Sequence, residues 1–90
     1  MNGQMVKDDF EHIFLEEEGC DFEHIRNGSV LGIVRGLLNG QGVQCKAESD
    51  IRPGDELKSD IHGQSFLVEN VSFEVVGGIR TALVVQVSEA

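Results

Sequence analysis

Two periodicities of apolar residues meet at Gly19. Before it, Val6, Phe10, Ile13 and Phe14 recur at three- and four-residue intervals, which lines up side chains on one face of an α-helix. Asp8 or Asp9 can cap that helix and Gly19 ends it, so the spacing predicts a helix over residues 7–18. After Gly19 the period falls to two, the signature of half-buried strands. Cys20, Phe22 and His24 share one strand face. Leu31, Ile33, Arg35 and Leu37 form one face of the next strand, opposite Val30, Gly32, Val34 and Gly36. Glycines on that second face suggest a bulge, strong curvature or the close approach of another backbone. Near the end, Leu83 to Val85 is apolar on both faces, which predicts a central strand.

Glycine turns separate these strands. Asn27-Gly28 is a hairpin signal, because both central residues of a type I′ turn need positive φ. Arg52-Pro53-Gly54-Asp55 fits a type II turn, and His62-Gly63 and Gly77-Gly78 fit two more hairpins. Asn39-Gly40-Gln41-Gly42 makes a flexible turn into a strand at Val43, Cys45 and Ala47. The expected architecture is mainly β: one domain over residues 1–90, a helix, then a meander of six or seven antiparallel strands over 20–87, closed as a small barrel or sandwich. Its core is expected at Phe10, Phe14, Phe22, Ile33, Leu57, Phe66, Val68, Leu83 and Val85. The pentapeptide Asp-Phe-Glu-His-Ile occurs at residues 9–13 and again at 21–25, once in the helical and once in the strand pattern.

Charge narrows the function. Residues 1–25 hold one lysine against eight carboxylates, a net −7 out of the −9 of the whole chain. A chain of that sign does not hold a phosphate backbone by counterion release, so sequence-specific nucleic-acid binding is not expected. Glu16, Glu17 and Glu18 sit where the helix dipole disfavours negative charge, so either packing holds the helix or these residues face a partner. Residues 1–6 lack a signal-peptide core and no apolar run reaches membrane-spanning length, so no membrane association is expected and Cys20 and Cys45 are expected as a reduced pair.

Catalytic grammar is sparse. His12, Cys20, His24 and His62 are zinc-competent but lack the paired spacing of a four-coordinate site. Cys45 has His62 as a conceivable base but no orienting third residue, and no glycine pattern matches a nucleotide loop. No cofactor, metal or catalytic residue is therefore expected, and the chain reads as a non-enzyme.

Ile33-Val34-Arg35-Gly36-Leu37-Leu38, Ile51-Arg52-Pro53-Gly54-Asp55-Glu56-Leu57, Gly63 to Val71 and the closing Gly77-Gly78 strand resemble the small head-to-tail joining (connector or stopper) proteins of long-tailed bacteriophages. The resemblance implies a structural subunit of a phage or prophage particle, located in the virion or the bacterial cytoplasm. Such a subunit self-associates into a ring around the DNA channel, with portal or adaptor proteins on one side and tail proteins on the other. Partner contacts are expected at Asp8, Asp9, Glu16, Glu17 and Glu18 and at Asn39, Gly40, Gln41 and Gly42. The alternative is a small acidic phage-encoded inhibitor that mimics DNA charge to occupy a basic protein.

Overall fold

The computed structural model describes residues 2–40, 42–59 and 63–89. A helix leads into six antiparallel strands: β1 (Cys20–Arg26), β2 (Ser29–Asn39), β3 (Gly42–Cys45), β4 (Glu56–Ser59), β5 (Ser65–Val76) and β6 (Ile79–Glu89). They close into a barrel in the order β1-β2-β3-β6-β5-β4, with β4 returning to β1 through residues 22–25. The chain thus adopts the barrel form of the expected class. β6 pairs with β3 on one edge and β5 on the other, as the two-sided apolarity of Leu83 to Val85 requires. The turns have the backbone their residues favour: Asn27 and Gly28 have φ of 52° and 80°, Gly54 has 93°, and Gly77 and Gly78 have 57° and 79°. His62 lies outside the described residues.

Phe22, Val43, Cys45, Ile51, Leu57, Phe66, Val68, Leu83 and Val85 fill the barrel. Phe22 and Phe66 meet edge to face, with centroids 6.3 Å apart. Two expected core residues are elsewhere. Ile33 is 57% exposed because the inward face of β2 is the glycine face. A Cβ on Gly36 would lie 2.5 Å from Val43 Cγ1 and 3.1 Å from the Phe22 ring. Six strands enclose so narrow a section that only hydrogen fits there. Ile33 and Leu37 therefore point outward, where Leu37 packs under the helix and Ile33 lies beyond it, while Val34 on the glycine face packs against the barrel core. A bulge also forms on this strand: His24 pairs with Gly32 and Ile25 with Val30, leaving Leu31 as the extra residue.

The second correction is Phe14, 47% exposed. The helix has three parts, α1 (Gly3–Asp9), a π-helical turn (Phe10–Phe14) and α2 (Leu15–Glu18). It begins four residues earlier than the apolar spacing indicated, and its cap is Asn2, whose side chain accepts from the Gln4 amide at 2.9 Å, not Asp8 or Asp9. Gly3 permits this start by sitting against the Val76 carbonyl, 2.0 Å from where a Cβ would be. In the π turn the Leu15 N–H donates to Phe10 C=O, five residues back, so Phe10 and Leu15 share the buried face and Phe14 is rotated off it. Phe10, Leu15, Leu37 and Ala82 form a second core between helix and barrel.

Candidate partner-binding groove

Beside that second core the helix and the outer face of the barrel leave a groove of about 540 Å³. α1 and the π turn supply Val6, Asp9, Phe10 and Phe14; α2 supplies Glu18; β2 supplies Leu37, Leu38 and Asn39. Gln44 of β3, Glu74 of β5 and Thr81 and Ala82 of β6 complete it. Its apolar part contains the Phe14 side chain, which is exposed to water. Its charged side chains are all carboxylates, Asp9, Glu18 and Glu74, and the Gln44 amide donates to Glu74.

Three of the nine expected contact residues, Asp9, Glu18 and Asn39, are brought together in this groove. Glu16 and Glu17 are exposed on the helix outside it, and Asp8 accepts a hydrogen bond from Gln4 at 2.9 Å. Gly40 holds the β2–β3 turn at φ 66°, Gly42 belongs to β3, and Gln41 lies outside the described residues. Leu38, Glu74 and Ala82 carried no sequence signal as site residues, because strands distant in the chain bring them to the helix.

The glutamates at the helix end are accommodated by Arg35. Its Nε donates to Leu15 O at 2.8 Å and its Nη2 to Glu16 O at 3.0 Å, while Nη1 pairs with Asp21 at 3.2 Å. One guanidinium thus bonds two of the last four helical carbonyls and offsets the negative charge gathered there.

A separate polar cluster closes the barrel end near the Arg52-Pro53-Gly54 turn. Asp55, 2% exposed, accepts from His24 Nε2 at 2.6 Å, from Arg26 Nε and Nη2 at 2.9 Å each, and from the Arg52 amide at 2.9 Å. Burial would raise its pKa, but the hydrogen bonds from Arg26, His24 and Arg52 outweigh it and hold the carboxyl well below the usual carboxylate range. As an ionised carboxylate only accepts, His24 Nε2 carries the proton. The Asp55 backbone accepts from Val68 N–H and the Gly54 amide donates to Val68 O, each at 2.8 Å, so the loop is latched to β5 as well. This cluster is a fastening: His24 is buried with its Nε2 engaged, and Ile51 plugs the core alongside.

Of the zinc-competent residues, His12 is exposed on the helix, Cys20 is half-buried and free, and His24 is bonded to Asp55. Among the described residues no three histidine, cysteine or acidic side chains group as metal ligands. Burial raises the Cys45 thiol to about 12, and the thiol sits inside the core. No described helix is long and apolar enough to cross a membrane. Compared with known protein families, curated proteins and solved structures, the chain matches none.

Proposed function

We propose that this protein is a non-enzymatic assembly subunit that joins neighbouring proteins and copies of itself, in its most specific form a head-to-tail joining subunit forming part of a ring around the DNA channel of a phage or prophage particle. The observation that carries this reading is a pair of open strand edges on one barrel. Among the described residues, positions 29–35 of β2 pair only with β1, and positions 70–76 of β5 pair only with β6. Both stretches expose apolar side chains, Val30, Leu31 and Ile33 on one and Phe73 and Val75 on the other. Proline is absent from both, and each holds one charged residue, Arg35 and Glu74. Edges left so open are templates for strand addition, and proteins that stay monomeric blunt them. Pairing the β2 edge of one copy with the β5 edge of the next covers both and is a head-to-tail contact of the kind that closes into rings.

The acidic balance supports the same reading, since carboxylate-rich walls repel phosphate and let DNA slide without sticking. The test is the chain's place in particles. Purified particles should contain it at the head–tail junction by electron microscopy, and its loss should leave heads and tails unjoined. Neutralising Glu16, Glu17 and Glu18 to glutamine should leave folding intact but impair assembly or DNA passage. A protein absent from particles and tightly bound to a basic host protein would replace this reading with the DNA-mimicking inhibitor.

A further inference from the structure

We propose that the groove between the helix and the β2–β3–β6 face takes a short segment of a different protein, one carrying an apolar anchor flanked by lysine or arginine. Two observations converge on it. The π turn, an uncommon distortion that recurs at functional sites, takes Phe14 off the buried face and turns it into the groove. A continuous α-helix would instead place Phe14 over Phe10, four residues on, and close the apolar opening. The charged groups around this opening are Asp9, Glu18 and Glu74, with no lysine or arginine among the described lining residues. Apolar floor and anionic rim together fit an amphipathic basic segment, the apolar anchor supplying affinity and the rim selecting cations.

The same charges argue against a second copy as occupant. The chain has seven basic residues against sixteen acidic ones. Lys7 is paired with Glu48 and Glu11, Arg26 with Asp55, Arg35 with Asp21 and Arg52 with Asp50, while Arg80 stacks on Phe73. A copy therefore has few cations to offer and brings more carboxylates. The inference does not rest on the virion reading, because it follows from the groove's chemistry alone.

The experiment titrates the full-length, isotope-labelled protein with an amphipathic leucine–lysine peptide and with its leucine–glutamate counterpart. The lysine peptide should bind and shift the amide resonances of Phe14, Leu38 and Ala82, and the glutamate peptide should not. Glu18→Lys and Glu17→Lys change net charge equally, but only Glu18 lines the groove. Glu18→Lys should weaken binding about tenfold and Glu17→Lys less than about threefold, and Phe14→Ser should also weaken it about tenfold. Should Phe14→Ser fail to fold, Val6→Ser probes the same floor. Equal effects of the two charge reversals with no effect at the floor would overturn the proposal in favour of diffuse charge attraction. No binding of the lysine peptide would overturn it as well, as would the same amides shifting with protein concentration alone, which would assign the groove to a second copy. Presence or absence of the chain in particles changes none of these readings.

Discussion

Gly36 stands opposite the Phe22 ring with no room for a methyl group: a Cβ would come within 3.1 Å of Phe22 Cε2 and 2.5 Å of Val43 Cγ1. Both neighbours are fully buried, and valine is stiff at χ1, so neither yields without disturbing the barrel. Gly36→Ala should destabilise the protein by about 1–3 kcal/mol in urea unfolding, the usual cost of overpacking a core. A neutral result would mean that β2 turns its other face inward.

The π turn makes opposite predictions for adjacent residues. Leu15 is 1% exposed and Phe14 47%. Leu15→Ala should therefore cost about 2–5 kcal/mol, and Phe14→Ala under about 1 kcal/mol, although phenylalanine is the larger side chain. Thermal or urea unfolding of the two variants decides it, and the reverse order would restore a regular α-helix through residue 14.

Asp55 should make stability depend on acid. Its pKa is depressed in the folded protein, so the stabilisation is fully present above the unfolded carboxyl value of about 4 and is lost as pH falls below it towards the folded value. Asp55→Asn removes the charge facing Arg26 and His24 and should cost about 3–5 kcal/mol at neutral pH, as breaking a buried pair does. The gap between wild type and variant should then narrow as pH falls below about 4. Unfolding curves for both proteins across this window test the sign, and a gap that stays constant would show that the latch does not act through the ionised carboxylate.

Cys20 and Cys45 flank Gly36 on its two neighbouring strands. Two strand spacings separate their backbones by about 9–10 Å, more than the roughly 7 Å a disulfide tolerates. Mild oxidation of the folded protein should leave both thiols free, with a disulfide forming only after unfolding. A thiol reagent should label half-buried Cys20 well before buried Cys45, whose pKa is raised to about 12 by burial. Peptide mapping after timed labelling reads both outcomes.

Local chemistry made much of this fold legible. Asn27-Gly28, Pro53-Gly54 and Gly77-Gly78 each predict a turn from their own φ preferences, and the positive φ at Gly28, Gly54 and Gly78 follows. Phe22 and Leu57 alternate with polar neighbours, Phe66, Val68, Leu83 and Val85 recur at period two within more apolar runs, and all six are buried. What stayed hidden depends on the whole barrel. The inward face of β2 is the less hydrophobic one, because interior width and not side-chain polarity decides the residue at Gly36. The helical register slips by one residue at the π turn, and apolar spacing alone favours Phe14 over Leu15. Asp55 meets His24 across thirty-one positions of chain, so the cluster has no local signature. Of the groove, the sequence marked carboxylates on the helix, but its floor is assembled from β2, β3 and β6.

The duplicated pentapeptide does follow context, helical in its first copy and extended in its second. In the first, the π turn buries Phe10 and exposes Ile13; in the second, Phe22 and His24 point inward.

Both long hairpins turn at the same end of the barrel, because β2 and β6 run parallel to each other on either side of β3. The loop carrying Ile51 and Asp55 closes that end too, whereas the β2–β3 turn and the helix C-terminus lie at the other. The barrel axis is therefore a vector with unlike head and foot. Copies related by rotation about an axis parallel to it would keep that sense, so a ring built in this way would present two different faces.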